Sequence, residues 1–123
     1  MNLNTARIFV RDIAQAKRFY TQTLGLKPIA SSAEHGYCVF TTGGVQLVVE
    51  AVSADAPQEE QELVGRFTGL SFTVADIQQT YRSLSAAGVA FTGAPERQAW
   101  GGILATLRDP AGNELQVVQP AAT

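Results

Sequence analysis

The side chains that most often carry chemistry in enzymes are scarce in this chain of 123 residues. It has one cysteine, Cys38, and one histidine, His35. A single thiol excludes an internal disulfide and a zinc site built from thiolates, and catalytic zinc, iron and nickel sites usually need two or more imidazoles. No Ser–His–Asp set can be assigned. We therefore expect Cys38 to be a small buried apolar group and His35 to lie in a surface loop.

The remaining candidates for chemistry are charged and aromatic residues inside otherwise apolar segments. Arg7 could bind a carboxylate or phosphate in bidentate fashion, because its guanidinium matches both geometries. Glu50 and Glu114 could bind a cation, or act as general bases if burial raises their pKa. Trp100 precedes two glycines, so its ring could stack on a planar or cationic ligand while the backbone comes close.

The overall composition limits the classes of function. Hydrophobic residues make up 46% and charged residues 16% of the chain. This is typical of a single globular domain, and surface scaling lets about two-thirds of the surface be buried. The net charge of −2 provides no positive field for nucleic acid or an anionic membrane. Neither a signal peptide nor a membrane span is visible, so we expect a cytoplasmic protein.

The elements that must position these residues come in two similar halves. At an offset of 64 residues five positions between residues 10 and 18 are identical, and at an offset of 70 the segments 45–48 and 115–118 are similar. The identical pairs are Val10 and Val74, Asp12 and Asp76, Ile13 and Ile77, Gln15 and Gln79, and Arg18 and Arg82.

Each half has the same order of structural signals. An alternating apolar segment, 5–10 or 69–74, predicts a strand. Asp12 or Asp76 then predicts a helix N-cap, and the helix reaches Gly25 or Gly88. Three short strands follow in each half, at about 27–32, 36–41 and 45–50, and at about 89–93, 102–108 and 114–118. The predicted plan is βαβββ twice.

The predicted boundaries are module 1 at about 1–52, a linker at about 53–63 and module 2 at about 64–121. The linker region is polar, acidic and contains Pro57. Its composition favours a solvated connection, with a short surface helix as the alternative.

Several motifs resemble the vicinal oxygen chelate superfamily, which includes glyoxalase I, bleomycin-resistance proteins and extradiol dioxygenases. They are the strand-to-helix segment 8–20, Leu24-Gly25-Leu26, Trp100-Gly101-Gly102 and the turn 109–115. The resemblance spans nearly the whole chain. It implies an α+β fold in which two βαβββ modules form an incomplete curved β-barrel around a cavity, and it implies a homodimer. Because this fold hosts many activities, the motifs do not define one.

In metal-dependent relatives four ligands stand at equivalent positions in the first and last strands of each module. The resemblance places Thr5, Gln46, Gly69 and Gln116 there. Gly69 has no side-chain donor, and the other three bring no negative charge to hold a divalent cation. We therefore expect no metal and no other cofactor.

The same resemblance, with strand alternation, predicts which residues face the cavity. The predicted ligand-binding residues are Thr5, Arg7, Gln46, Glu50, Ser71, Trp100, Gly102, Glu114 and Gln116. Each has an alternative role. Arg7 could pair internally with Glu50 or Glu114, Trp100 could pack at a dimer contact or over the sheet, and the glutamates could be solvated. Gln46 and Gln116 could bind each other.

These observations favour a metal-free protein that binds an organic small molecule, as bleomycin-resistance proteins do by sequestration. An alternative is a lyase, isomerase or dioxygenase of the same superfamily. It would use Glu114 as the base, or a metal if the ligand positions are assigned wrongly. A third hypothesis, a fold kept for protein association, is disfavoured by the polar residues expected inside the cavity.

Overall fold

The computed structural model describes residues 1–122 and has an α+β architecture with two open sheets, of four and five strands. The chain divides into two compact units. The first unit combines Met1–Arg66 with the short segment Pro110–Asn113, and the second combines Phe67–Asp109 with the described residues from Glu114 onward. The predicted fold class is confirmed.

The first unit contains a sheet with strand order β1-β4-β3-β2. The strands are β1 (Thr5–Val10), β2 (Lys27–Ser32), β3 (Tyr37–Thr41) and β4 (Gln46–Ala51). β1 and β4 are parallel and the other neighbours are antiparallel. Alternation works as expected, because Ile8, Val10, Leu47 and Val49 are buried while the residues between them are more accessible.

Helix α1 (Ile13–Arg18) begins where the sequence predicts, with the Asp12 carboxylate accepting a hydrogen bond from the Gln15 backbone N–H at 3.0 Å. The helical segment continues to Gly25 as the sequence predicts, and Gly25 has a φ of +74°, but its last turn, Phe19–Thr23, is π-helical. The wider turn brings two consecutive aromatic residues, Phe19 and Tyr20, into the core. Tyr20 is fully buried against the rings of Phe19 and Phe40.

The region predicted as a linker contains a short helix, α2 (Gln58–Gln61), which is the alternative that the composition left open. Its glutamates are exposed. Gln61 holds the segment to the first unit, since its Nε2 donates to the carbonyl oxygen of Ser53 at 2.7 Å and its Oε1 accepts from Arg11.

The turn segment Pro110–Asn113 belongs to the first unit through the buried amide of Asn113. Its Oδ1 accepts from the Gly65 backbone N–H at 2.9 Å, and its Nδ2 donates to the Phe9 carbonyl oxygen at 2.8 Å. The amide thus ties residues that are far apart in sequence.

The second unit contains the other sheet, with strand order β5-β9-β8-β6 and with β7 also paired to β8. Its elements are β5 (Phe67–Thr73), α3 (Ile77–Ala86), β6 (Ala90–Phe91), β7 (Glu96–Arg97), β8 (Ile103–Arg108) and β9 (Glu114–Gln119). Helix α3 begins at the predicted cap, with Asp76 accepting from the Gln79 N–H at 3.1 Å. Ile77, Leu107 and Leu115 are fully buried.

Two features of this sheet differ from the expectation. The strand predicted at about 89–93 is shorter, with β6 at Ala90–Phe91 and one further hydrogen bond from the Thr92 N–H to the Thr106 carbonyl oxygen at 2.9 Å. A second short strand, β7, which the sequence did not predict, pairs with β8 after residues 93–95 have left its edge. Pro95 lies in that segment and has no N–H to donate to a ladder. In β5 the register shifts between Phe67 and Ser71, and Gly69 has a φ of +75°. Such a bulge favours glycine at that position.

No helix within residues 1–122 is both long enough and apolar enough to cross a membrane.

Candidate functional site

The polar face of the first sheet carries the four residues predicted from this unit. Thr5 and Gln46 are register partners on β1 and β4, and Arg7 and Glu50 follow two and four residues further along their strands. The Thr5 hydroxyl donates to the Asn4 side-chain oxygen at 2.7 Å, and the Gln46 side chain is exposed. All four are polar side chains opposite the buried face of β4.

Arg7 and Glu50 form an ion pair across this face. The sequence left open whether Arg7 would be paired internally or free for an anionic ligand, and the structure shows the pair with Glu50. The two side chains are 56% and 32% exposed. A pair this exposed contributes little to stability, about 0–1 kcal/mol. Its main effect is to neutralise the guanidinium that an anionic ligand would need.

The polar face of the second sheet carries a short chain of hydrogen bonds. The Ser71 hydroxyl donates to Gln116 Oε1 at 3.4 Å, and Gln116 Nε2 donates to the Thr106 hydroxyl oxygen at 3.3 Å. The three residues are register neighbours on β5, β9 and β8. Gln116 is therefore already held by its own unit.

Glu114, the candidate base, lies at the start of β9 opposite Arg108. Its Oε2 accepts from Arg108 Nε at 3.1 Å, and the two side chains are 27% and 53% exposed. This partner was not predicted. One carboxylate oxygen of the candidate base is thus engaged by a guanidinium of its own unit.

The ring of Trp100 packs directly over Gly102. A Cβ atom added at Gly102 would lie 1.8 Å from Cζ3 of the Trp100 ring, so the indole occupies the space of the missing side chain. Gly102 is buried beneath the ring, while Trp100 itself remains 57% exposed. The glycine thus provides a seat for an aromatic ring that offers much of its surface to solvent.

Sequence reasoning missed two residues next to this seat. Glu96 and Gln98 line a cavity of about 160 Å³, together with residues 92–94 and 104–106. The Gln98 backbone N–H donates to the Gly102 carbonyl oxygen at 2.8 Å. The only signal in the sequence is that polar residues recur at 96 and 98, and without apolar residues between them that pattern does not predict a strand.

A second cavity, of about 470 Å³, lies along helix α3. It is lined by Val74, Ala75, Asp76, Gln79, Thr80, Ser83 and Leu84. None of the residues predicted for the site lines this cavity.

The four positions that hold a metal in some relatives do not fit one here. Thr5 and Gln46 offer neutral oxygens, Gly69 offers no side chain, and the Gln116 amide is engaged by Ser71 and Thr106. Within residues 1–122 no three His, Cys, Asp or Glu side chains are grouped so that they could hold a metal ion.

The two residues with intrinsically reactive side chains lie away from these faces. Cys38 is fully buried in β3, and burial raises the pKa of its thiol while Lys17 acts weakly in the other direction. His35 is exposed in the turn before β3, and its Nδ1 lies 3.0 Å from the Ser32 hydroxyl. Both placements confirm the expectations from sequence.

Comparison with known proteins identifies the class. A family model described as the Glyoxalase/Bleomycin resistance protein/Dioxygenase superfamily matches residues 2–117. The chain therefore belongs to this superfamily, which confirms the resemblance found in its motifs.

Individual proteins of known sequence or structure are also similar to this chain. It is 31% identical to an uncharacterised Bacillus subtilis protein, YurT, over 97% of this chain and 99% of that one. Its fold matches that of a superfamily member from Sphaerobacter thermophilus, with a TM-score of 0.80, 28% identity and 98% of both chains covered. It also matches TnmS3, an antibiotic binding protein from a Streptomyces species, with a TM-score of 0.73 and 26% identity. That match covers 98% of this chain and 97% of TnmS3.

Proposed function

We propose that this protein binds an organic small molecule and sequesters it without a resident metal. The residues proposed to contact a ligand lie on the polar face of each sheet and at the start of β8, and are Thr5, Arg7, Gln46, Glu50, Ser71, Trp100, Gly102, Glu114 and Gln116. The similarity to TnmS3, which is described as antibiotic binding, supports a ligand of that general kind.

The observation that carries the proposal is the exposed indole of Trp100 seated on Gly102. Leaving a large aromatic ring in water is unfavourable, because its apolar area is not buried. A ring held in one place by the backbone beneath it is preorganised for stacking, so a planar ligand loses little free energy in ordering it. A binding role accounts for both features.

The donor set supports binding rather than metal-assisted catalysis. The positions for metal ligands carry neutral or absent donors, and Glu114 is held by Arg108. We accordingly propose sequestration rather than metal-assisted turnover.

The binding experiment uses the chain's single tryptophan as its reporter. A panel of planar organic compounds, including antibiotics, is screened by thermal shift and by quenching of Trp100 fluorescence. Compounds that bind are expected to lose affinity in Trp100→Ala by about tenfold, because stacking contributes on the order of 1–2 kcal/mol. Thermal shift or calorimetry measures the variant, which has no tryptophan. Added EDTA should leave affinity unchanged.

The matched control is Ile29→Ala, which removes an apolar side chain of similar exposure, 49%, on the edge strand β2. It should bind like the parent protein. The proposal fails if no compound stabilises the chain, or if every compound that does so binds Trp100→Ala and the parent equally well. Turnover of a bound compound that EDTA abolishes would favour the enzymatic alternative.

We also propose a cytoplasmic homodimer that does not bind nucleic acid. The support is the superfamily membership, the net charge of −2 and the exposed edge strand β2. Light scattering on purified protein tests the dimer, and a monomer at micromolar concentration would contradict it.

A further inference from the structure

We infer that the cavity beside Trp100 binds a protonated amino group, so that the ligand of this protein is an aromatic or otherwise planar organic cation. This inference rests on the proposed function and names the chemical class of its ligand. It is carried by Glu96, by the neighbouring hydrogen-bond acceptors and by the position of the indole, all within the second unit.

The cavity exists because of the interrupted edge of the sheet. The Thr92 N–H still donates to the Thr106 carbonyl oxygen, residues 93–95 then leave β8, and pairing resumes when Glu96 lies opposite Leu104. The excursion encloses about 160 Å³. Complete ligand sites usually measure about 300–1,000 Å³, so this cavity suits one end of a ligand rather than a whole molecule.

Register places Glu96 and the indole on the same face. Paired residues in neighbouring strands share a face, and residues two apart along a strand point to the same side. Glu96 is paired with Leu104, and the Trp100 ring covers Gly102, two residues earlier. Positions 102 and 104 are separated by about 7 Å, which is within the span of one aromatic amine.

The charge on this face is negative at the cavity. Within residues 1–122 the Glu96 carboxylate has no ion pair and no hydrogen bond. Arg97 is paired in register with Ile103, which places it on the opposite face, and its guanidinium donates to the Gly101 carbonyl oxygen. Arg108 is four residues from Leu104 and is engaged by Glu114. The nearby cations thus leave Glu96 available.

The other lining groups supply what an ammonium group needs. An ammonium has three donors and no acceptor, so its site must offer acceptors. Gln98 Nε2 donates to the Glu96 carbonyl oxygen at 3.0 Å, which leaves Gln98 Oε1 as an acceptor. The hydroxyl groups of Thr92 and Thr106 also line the cavity. A carboxylate together with the face of an indole is a combination that selects cations over neutral molecules.

The test uses three probes that differ only near one end: 2-phenylethylamine, 2-phenylethanol and phenylacetate. Affinities are measured by calorimetry and by quenching of Trp100 fluorescence in the intact protein at low salt. We expect the amine to bind about tenfold more tightly than the alcohol, and phenylacetate more weakly than both, because a hydrogen bond to a charged group contributes about 1.5–3 kcal/mol.

Glu96→Gln should reduce amine affinity by about tenfold and leave alcohol affinity unchanged, since the amide keeps the shape but loses the charge. Glu34→Gln is the matched control, because Glu34 is also exposed but lies in the turn before β3 in the first unit. It should preserve the preference for the amine. Thermal unfolding confirms that both variants remain folded.

The outcomes separate this inference from the proposed function. If the alcohol binds as tightly as the amine, or if Glu96→Gln leaves the amine unaffected, the inference is wrong. In that case continued dependence on Trp100 still supports small-molecule binding. If neither these probes nor any compound of the wider panel binds, both fail.

Discussion

The two units follow one βαβββ plan, yet their polar faces are organised differently. In the first unit Arg7 and Glu50 satisfy each other across the sheet. In the second unit Arg108 and Glu114 also pair, but among the described residues Glu96 has no ion pair, and the Trp100 indole on the same face is largely exposed. A repeated plan can therefore differ in charge, with the ionic groups of one face neutralised by each other and a carboxylate of the other face unpaired. The three predictions below test this difference, beginning with the largest expected effect.

The first prediction compares the buried tyrosine of one unit with the half-buried tyrosine of the other. Tyr20→Ala should lower the free energy of unfolding by about 3–5 kcal/mol, because its ring is fully buried between Phe19 and Phe40. Tyr81 is half-buried, and its ring packs edge-to-face on Phe91 with the ring centres 4.9 Å apart. Tyr81→Ala should therefore lower the free energy of unfolding by only about 1–2 kcal/mol. Urea unfolding of both variants measures the difference. Equal losses of unfolding free energy in the two variants would show that the core of the first unit is packed no more tightly than that of the second.

The second prediction compares two amides that bind backbone groups. Asn113→Ala leaves the Gly65 N–H and the Phe9 carbonyl without their partner in the first unit, and should cost about 2–3 kcal/mol. Gln119→Ala removes only the acceptor for the Ile77 N–H in the second unit, and should cost about 1 kcal/mol. Denaturant midpoints of the two variants provide the measurement. A Gln119→Ala loss as large as that of Asn113→Ala would contradict the prediction.

The third prediction concerns the exposed ion pairs and has the smallest effect. Double-mutant cycles on Arg7 with Glu50, and on Arg108 with Glu114, should each give a coupling of about 0.2–1 kcal/mol, which falls with added salt. The measurement is the unfolding free energy of the single and double alanine variants. A coupling above 2 kcal/mol in either cycle would require a far less solvated pair.

Much of the fold could be predicted from local signals. The caps Asp12 and Asp76 define the starts of both helices, and strand alternation identifies Ile8 and Val10 as core. The π-helical turn at Phe19 and the short strand β7 after Pro95 could not be predicted. The first depends on how two adjacent aromatic rings pack in the core, and the second on where residues 93–95 leave the edge of β8 and the chain returns to it. Neither is encoded in a period of apolar residues.

The sequence predicts which residue types lie at the candidate site, but not which of their side chains form ion pairs with each other. Strand alternation placed Arg7 and Glu50 on one polar face, yet their pairing depends on register between β1 and β4. The Arg108 partner of Glu114 could not be predicted, because the contact depends on the register between β8 and β9, which the turn motif alone does not specify. Glu96 was missed because β7 is two residues long and has no apolar pattern. Which of these residues contact a ligand stays a prediction.

The buried amide of Asn113 bears on how this gene can be divided. The first compact unit, Met1–Arg66, is completed by four residues, Pro110–Asn113, whose codons follow those of β8. An expression fragment that stops at codon 66 would lack the group that closes it against Gly65 and Phe9. If the chain arose by duplication of a half-length ancestor, its copies have since become interdependent, and no single cut now recovers either one.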